Sequence, residues 1–334
     1  MKKVILVTGA GGFIGFHLSN LLIKKKYNVI GLDNLNHYYD KKIKLDRIKI
    51  LKKYKKFKFY KIDILNLKNL KIISKKNKIE KIIHLAAQAG VRYSISNPDS
   101  YIRNNIQGFQ NILELSRLNK IKHLVYASSS SVYGLNKNIP FSEKNSASHP
   151  ISTYAASKRS NELMAHVYSN LYNLPTTGLR FFTVYGPFGR PDMSLFKFVD
   201  LTLKNKMVDL FNNGNHTRDF TYINDITEVI TRVMNKVPKR SKFKKLSEYE
   251  SPAPWRIFNI SSSKPLMLKK YIGEIEKNLG KKLKYKNLPL QKGDVKKTSG
   301  SMYLTIKNFK YKPKFSLKYG INEFIKWYKT YYRK

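Results

Sequence analysis

Gly9-Ala10-Gly11-Gly12-Phe13-Ile14-Gly15 places four glycines in seven residues, directly after an apolar run and directly before a helix-like stretch. Glycine is costly inside a helix or a strand, so such a cluster belongs at the junction between the two. The preceding run, residues 3–7, is apolar and β-branched, and residues 13–25 carry apolar side chains at helical spacing. The template G-x-G-x-x-G fails here because its last position would be Ile14, whereas G-x-x-G-x-x-G fits with Gly9, Gly12 and Gly15. Glycines so placed let a pyrophosphate approach the positive end of the following helix. Residues 27–32 form a second strand candidate followed by Asp33, 18 residues past Gly15. A carboxylate there can hold both adenosine ribose hydroxyls and repels a 2′-phosphate, which favours NAD over NADP. Asp33 also suits a plain Asp-Asn turn. Asp63, after the third strand candidate, is either an adenine contact or a helix cap.

The same alternation continues. Further strand candidates are residues 57–62, 81–86, 121–127 and 176–181, with helix-like stretches at 98–118 and 154–172. Repeated strand–helix units imply an α/β fold with a doubly wound parallel sheet covered on both faces. The second half is less regular, with helical stretches at 194–204, 222–235, 268–279 and 317–331 and a charged, proline-containing surface loop at 236–254. The 334 residues suit one large domain or two moderate ones, and 42% hydrophobic content is ample for a packed core. There is no cysteine, which excludes disulfides and thiolate-ligated metals and agrees with a cytoplasmic protein. No apolar run reaches the roughly 18 residues of a transmembrane helix. The formal charge of +44 raises nucleic-acid binding as a function, but the lysines are spread from Lys2 to Lys334 rather than gathered on one element. That distribution favours compositional drift and no specific nucleic-acid partner. His84, inside an apolar run, reads as a hydrogen-bonded core residue, and no metal site is expected.

The fifth strand candidate ends in Ser128-Ser129-Ser130-Ser131, ordinarily a turn. Downstream, Tyr154 and Lys158 stand at i and i+4 on one helix face, where a cation favours phenolate over phenol. The spacing Y-x-x-x-K occurs five times in this tyrosine- and lysine-rich chain. Only Tyr154 opens a long helix after a strand that ends in a polar turn.

TGAGGFIG, HLAAQAGVRYS, YASSSSVYG, YAASK, RFFTVYGPFGRPDM and RDFTYINDI stand in one order over essentially the whole chain. In that order they resemble the extended short-chain dehydrogenase/reductases of the nucleotide-sugar epimerase group, and within it the 4-epimerases of UDP-glucuronate. The resemblance implies a Rossmann-type domain over residues 1–180 and a smaller, mixed UDP-sugar-binding domain over 181–334, with the chain crossing back around 215–260. It implies a tightly bound NAD, regenerated at each turnover, contacted by Gly9, Gly12, Phe13, Ile14, Gly15, Asp33, Asp63, Ile64, Leu85, Ala86, Ala87, Asn105, Tyr154, Lys158 and Phe182. Tyr154 is implied as the acid–base at the sugar 4-hydroxyl while NAD takes hydride from C4, with Lys158 lowering the tyrosine pKa. Ser129, 25 residues before Tyr154, is implied as the group that hydrogen-bonds the 4-oxygen. Arg218 and Asp225 are implied near the uridine diphosphate, and Ser130 and Thr183 beside the sugar. A homodimer built from the helices at 98–118 and 154–172 follows from the same resemblance, as does a role in polysaccharide biosynthesis, with no insertion into a membrane.

The segment from Thr183 to Met193 bears on the sugar. Galactose epimerases generally carry asparagine at the position of Thr183 and lack GRPDM. Arg190 offers a bidentate donor for a uronic acid carboxylate, and Arg92 is a second cation that can assist. Dehydratases carry an Asp-Glu pair where Ser130 and Ser131 stand, and uronate decarboxylases carry Glu at Ser131. The absence of both acids argues for return of hydride with nothing lost. A 4-epimerase of UDP-glucose or UDP-N-acetylglucosamine is the alternative, and a basic nucleic-acid-binding protein on an inactive NAD fold a remote one. Two departures stand outside these motifs: Ser261 replaces a glycine common after FNI, and residues 298–302 (TSGSM) lack the usual aspartate.

Overall fold

A computed structural model describes residues 3–291 and 293–333. The first strand, β1 (Val4–Thr8), is apolar from Val4 to Val7 because both of its faces are covered. Ile5 and Val7 enter the cluster on one face of the sheet and Leu6 the cluster on the other, as the two-residue period of a strand requires. β2 (Asn28–Asp33), β3 (Phe57–Lys61), β4 (Lys81–His84), β5 (His123–Ser129) and β6 (Thr176–Phe181) follow with helices between them. These are the six expected strands, displaced by no more than two residues. A seventh, β10 (Trp255–Ile260), comes from the half of the chain that looked irregular. The sheet order is β10-β6-β5-β4-β1-β2-β3, and every pairing in it is parallel.

That order places a switch point at β1. The chain goes one way to β2 and β3, then returns to the other flank at β4, so the loops after β1 and β4 part and leave a crevice. Smaller sheets frame its far side. One has the order β11-β9-β7, from β7 (Thr183–Tyr185), β9 (Thr217–Tyr222) and β11 (Pro265–Met267); the other pairs β8 (Val208–Phe211) with β12 (Tyr285–Leu288). Residues 236–254 contain no helix or strand, in line with a surface loop. No described helix is long and apolar enough to cross a membrane.

The stretch expected as one helix over 98–118 is interrupted. A π turn, Ile102–Gln107, separates a short helical turn from the α-helix Gly108–Leu118. Such bulges free backbone carbonyls. Here the Asn105 carbonyl accepts from Asn161 Nδ2 at 2.6 Å, which ties this element to the helix Thr153–Tyr172.

Candidate active site

Residues of both halves line one cleft of about 1280 Å3 at the C-terminal ends of β1, β2, β4, β5 and β6. That exceeds the ~300–1,000 Å3 of a pocket for one small ligand. At its floor the glycine turn works through what it lacks. Gly9 has φ +72°, and a Cβ there would stand 2.8 Å from the Ala86 nitrogen; a Cβ on Gly15 would stand 2.0 Å from the Gly9 carbonyl oxygen. Gly12 caps the helix Phe13–Lys24 without a side chain, so the amides of its first turn face the cleft. Thr8 Oγ1 accepts from the Leu85 and Ala86 nitrogens at 3.2 Å, which fixes the loop after β4 against that turn. This is a surface a pyrophosphate fits and a side chain does not.

Asp33 closes the same end. It lines the cleft while its oxygens accept from the Gly11 and Leu35 nitrogens at 3.0 and 2.8 Å, so it is a turn residue and a cleft residue at once. Burial pushes its carboxyl above the usual range, against those hydrogen bonds and the Lys44 charge. Lys44 lies in the cleft beside it, and burial lowers its ammonium to about 8.

The four serines finish β5 and divide their work. Ser128 Oγ donates to Glu162 Oε1 at 2.6 Å, and Arg180 meets both oxygens of that carboxylate at 2.8 Å, with both side chains fully buried. This buried pair fastens β5 and β6 to the helix that carries Tyr154 and Lys158. Ser129 Oγ accepts from the Ser131 nitrogen and donates to its hydroxyl, both at 3.2 Å, and Ser129, Ser130 and Ser131 all line the cleft.

Ser152 caps that helix through the Ala155 nitrogen, so Tyr154 falls in its first turn and faces the serines. Burial holds the Tyr154 hydroxyl above its ordinary value, and hydrogen bonding with Ser129 and the charge of Arg190 offset this only in part. Lys158 Nζ donates to the Ala127 carbonyl at 2.9 Å, and burial lowers its ammonium to about 8. Arg190 lines the cleft together with Tyr154, Ser129 and Thr183, and its charge favours the phenolate.

At the other end, Arg218 Nη2 donates to Asp294 Oδ1 at 2.7 Å, and Arg92 Nη2 and His216 Nε2 stand 3.7 Å from Asp294 Oδ2. Phe211 packs beneath Arg92, its ring centre 4.7 Å from the guanidinium carbon. Two guanidinium groups that converge on one carboxylate suit a diphosphate.

A family model described as the NAD dependent epimerase/dehydratase family matches residues 5–245. The chain belongs to this family. It is 47% identical over 333 residues to a Staphylococcus aureus protein named Protein CapI, covering 99% of each. It is 42% identical to a protein of Rhizobium meliloti (strain 1021) named as a probable UDP-glucuronate 4-epimerase, covering 98% of each. Its fold superposes with a TM-score of 0.89, at 32% identity, on a UDP-glucuronic acid 4-epimerase from Bacillus cereus solved with UDP-glucuronic acid and NAD, covering 98% of this chain and 100% of that one.

For this member of the epimerase/dehydratase family, the cleft gathers most of the residues expected at it: Gly9, Gly12, Phe13, Ile14, Gly15, Asp33, Ile64, Leu85, Ala86, Ala87, Arg92, Ser129, Ser130, Tyr154, Lys158, Phe182, Thr183, Arg190 and Arg218. It leaves three outside. Asp225, expected near the uridine diphosphate, is buried elsewhere, where it accepts from the Tyr311 hydroxyl at 2.5 Å and from the Lys314 nitrogen at 2.9 Å. Asp63 accepts from Asn34 Nδ2 and the Leu65 nitrogen, and the following helix is capped by Asn66 rather than by Asp63. Asn105 is buried behind the lining, where it bonds Gln88 and Ser157 and shapes the loop instead of touching the cleft. Arg92 joins Arg218 on Asp294, not Arg190. Arg218 does not pair with Asp219, which is buried and accepts from Ser262 and the Gly300 nitrogen. That contact joins the two segments that depart from the family's pattern, with Ser261 donating to the Gly300 carbonyl at 2.9 Å. His84 is a core residue whose Nδ1 pairs with Thr8 Oγ1 at 2.8 Å.

Proposed function

We propose that the chain is an NAD-dependent 4-epimerase that interconverts UDP-glucuronate and UDP-galacturonate. The observation that carries this reading is that Tyr154, Ser129 and Arg190 line one cleft, with the Arg190 charge among the influences on the tyrosine hydroxyl. In a hexuronate the carboxylate is borne on C5, next to the C4 that must be oxidised. A cation that reaches the C4 acid–base therefore also reaches the carboxylate.

NAD, held by the glycine turn and Asp33, supplies a hydride acceptor and donor for C4. Tyr154 accepts the proton of the 4-hydroxyl and returns it to the 4-oxygen of the other face, with Ser129 as its hydrogen-bonding partner. Lys158, its ammonium at about 8, keeps a positive charge beneath the site at neutral pH. Arg92 and Arg218 bind the diphosphate and anchor the nucleotide while the 4-keto sugar turns over. That sugar is a β-keto acid, prone to lose CO2, and Arg190 holds its carboxylate. Ser130 and Ser131 put no carboxylic acid beside it, which supports return of hydride over elimination or decarboxylation.

The homodimer is part of this proposal. Leu163, Val167 and Leu171 lie four residues apart on one face of the helix Thr153–Tyr172 and are 49–65% exposed, and Leu118 and Ile102 of the preceding helical segment are exposed too. Leu163→Glu is expected to yield a monomer by sedimentation.

The test of the activity is incubation of purified protein, without added NAD, with UDP-glucuronate and separately with UDP-glucose, read by chromatography of the sugar nucleotides. UDP-galacturonate is the expected product. Conversion of UDP-glucose alone would refute the uronate assignment.

A further inference from the structure

Arg190 reaches the cleft already engaged. Its Nε and Nη2 donate to Asp192 Oδ1 and Oδ2 at 3.0 and 2.5 Å, the paired geometry in which guanidinium binds a carboxylate. Asp192 Oδ2 also accepts the Tyr38 hydroxyl at 3.1 Å. The Tyr38 ring centre lies 5.9 Å from the guanidinium carbon. Tyr38 belongs to the loop between β2 and the helix Lys41–Lys52, so the contact spans the cleft from the cofactor side to the substrate side. Burial pushes the Asp192 carboxyl up, but the Arg190 guanidinium outweighs it and holds the group below the usual carboxylate range. Burial and the Asp192 charge push Tyr38 up to about 12. Across neutral pH the triad is therefore a phenol, a carboxylate and a guanidinium.

One guanidinium edge serves one bidentate carboxylate. We propose that Asp192 is an internal surrogate for the substrate carboxylate: it holds the fork of Arg190, Tyr38 fastens it there, and a uronate must displace it to bind. This rests on the reading of Arg190 as the uronate-binding group. Lys44, which lines the same cleft and feels the Asp192 charge, stands where the displaced carboxylate finds another cation. Uronate affinity is then a difference between two carboxylates competing for one arginine. A neutral sugar leaves the pair closed, so the arginine is not stranded without a counter-charge in the low-dielectric cleft.

Asp192→Asn keeps the shape and removes the competing charge. Calorimetric titration of the full-length variant is expected to show UDP-glucuronate binding about tenfold tighter than to wild type, roughly 1.4 kcal/mol. Affinities for UDP-glucose and UDP should stay within about twofold. Tyr38→Phe, which loosens the surrogate without removing it, should tighten UDP-glucuronate binding by about two- to threefold, and it carries the test alone if Asp192→Asn does not fold. Weaker or unchanged UDP-glucuronate binding in whichever of the two folds overturns the proposal, as does a shift shared equally by UDP-glucose and UDP. Either result would make Asp192 a fixed support for Arg190. Wild-type protein that does not turn over UDP-glucuronate sinks the proposed function; wild-type turnover with unmoved affinity in the variants sinks the surrogate alone.

Discussion

The two walls of the cleft recognise their ligands by opposite means. The cofactor wall is shaped by missing atoms, since Gly9 and Gly15 leave room that any Cβ would fill, and its one acid, Asp33, is tied to backbone amides. The substrate wall is shaped by side-chain charge, and its three arginines are met by acids of the same chain: Asp192 on Arg190, Asp294 on Arg218 and Arg92. The first wall is rigid and selects by shape. The second presents charges already compensated and selects by exchange of partners. A glycine cannot be traded for anything without a clash, whereas an ion pair can be loosened by degrees, so variants on the two walls should fail differently.

Tyr154→Phe lies at the seam and should have the largest effect. Loss of the acid–base oxygen is expected to lower kcat by ~10²–10⁴-fold, while NAD stays bound and UDP affinity is unchanged. Quenched-flow turnover beside a bound-nucleotide assay checks both halves of that statement. Gly15→Ala attacks the cofactor wall. With its Cβ 2.0 Å from the Gly9 carbonyl, it should lose ~1–3 kcal/mol of stability and release NAD on gel filtration. Arg218→Lys attacks the other wall, since an ammonium cannot form the fork; UDP binding should weaken about tenfold by calorimetry with NAD content intact. If both variants lost both ligands together, the walls would not be independent.

The smallest effect is expected away from both. Glu143 is fully buried; its Oε1 accepts from the Asn259 nitrogen at 2.7 Å while its Oε2 has no hydrogen-bond partner. Burial pushes its carboxyl up from 4.5 to about 7. The folded chain therefore holds a proton that the unfolded chain releases, and this group's contribution to stability falls as pH rises from about 4.5 to 7. Glu143→Gln should flatten that part of the melting-temperature profile between pH 5 and 8; an unchanged profile would remove Glu143 as its cause.

The cofactor wall was largely legible in the sequence because its signals are local: an apolar run, glycines at fixed spacing and an acid after the next strand. The helices Lys41–Lys52 and Leu67–Asn77 were not. In the first, Lys44 and Arg47 occupy buried positions, so charge interrupts the apolar period that marks a helix face. Arg47 is there to bind the carbonyls of Gly11 and Phe188. β10 lacked a signal because WRIFNI borders a charged loop rather than a helix. On the substrate wall the arginines could be picked from motifs, but their partners could not. Asp294 lies 76 residues from Arg218, and only the folded chain joins them. Asp192 stood in view inside GRPDM, two residues from Arg190, and a carboxylate so close to a proposed carboxylate receptor was the available signal. The Glu162–Arg180 pair under the catalytic helix had none.

β10 also has a consequence for how the chain is made. Six strands of the large sheet have been translated by Phe181, but the strand that covers the β6 edge ends at Ile260. At ~5–20 residues per second, a ribosome needs several seconds to deliver it. Throughout that interval the backbone edge of β6, buried in the finished sheet, is open to other nascent chains. The period of greatest aggregation hazard is thus fixed by the order of the sequence, and a chaperone that binds the nascent chain would act most usefully between those two points of synthesis.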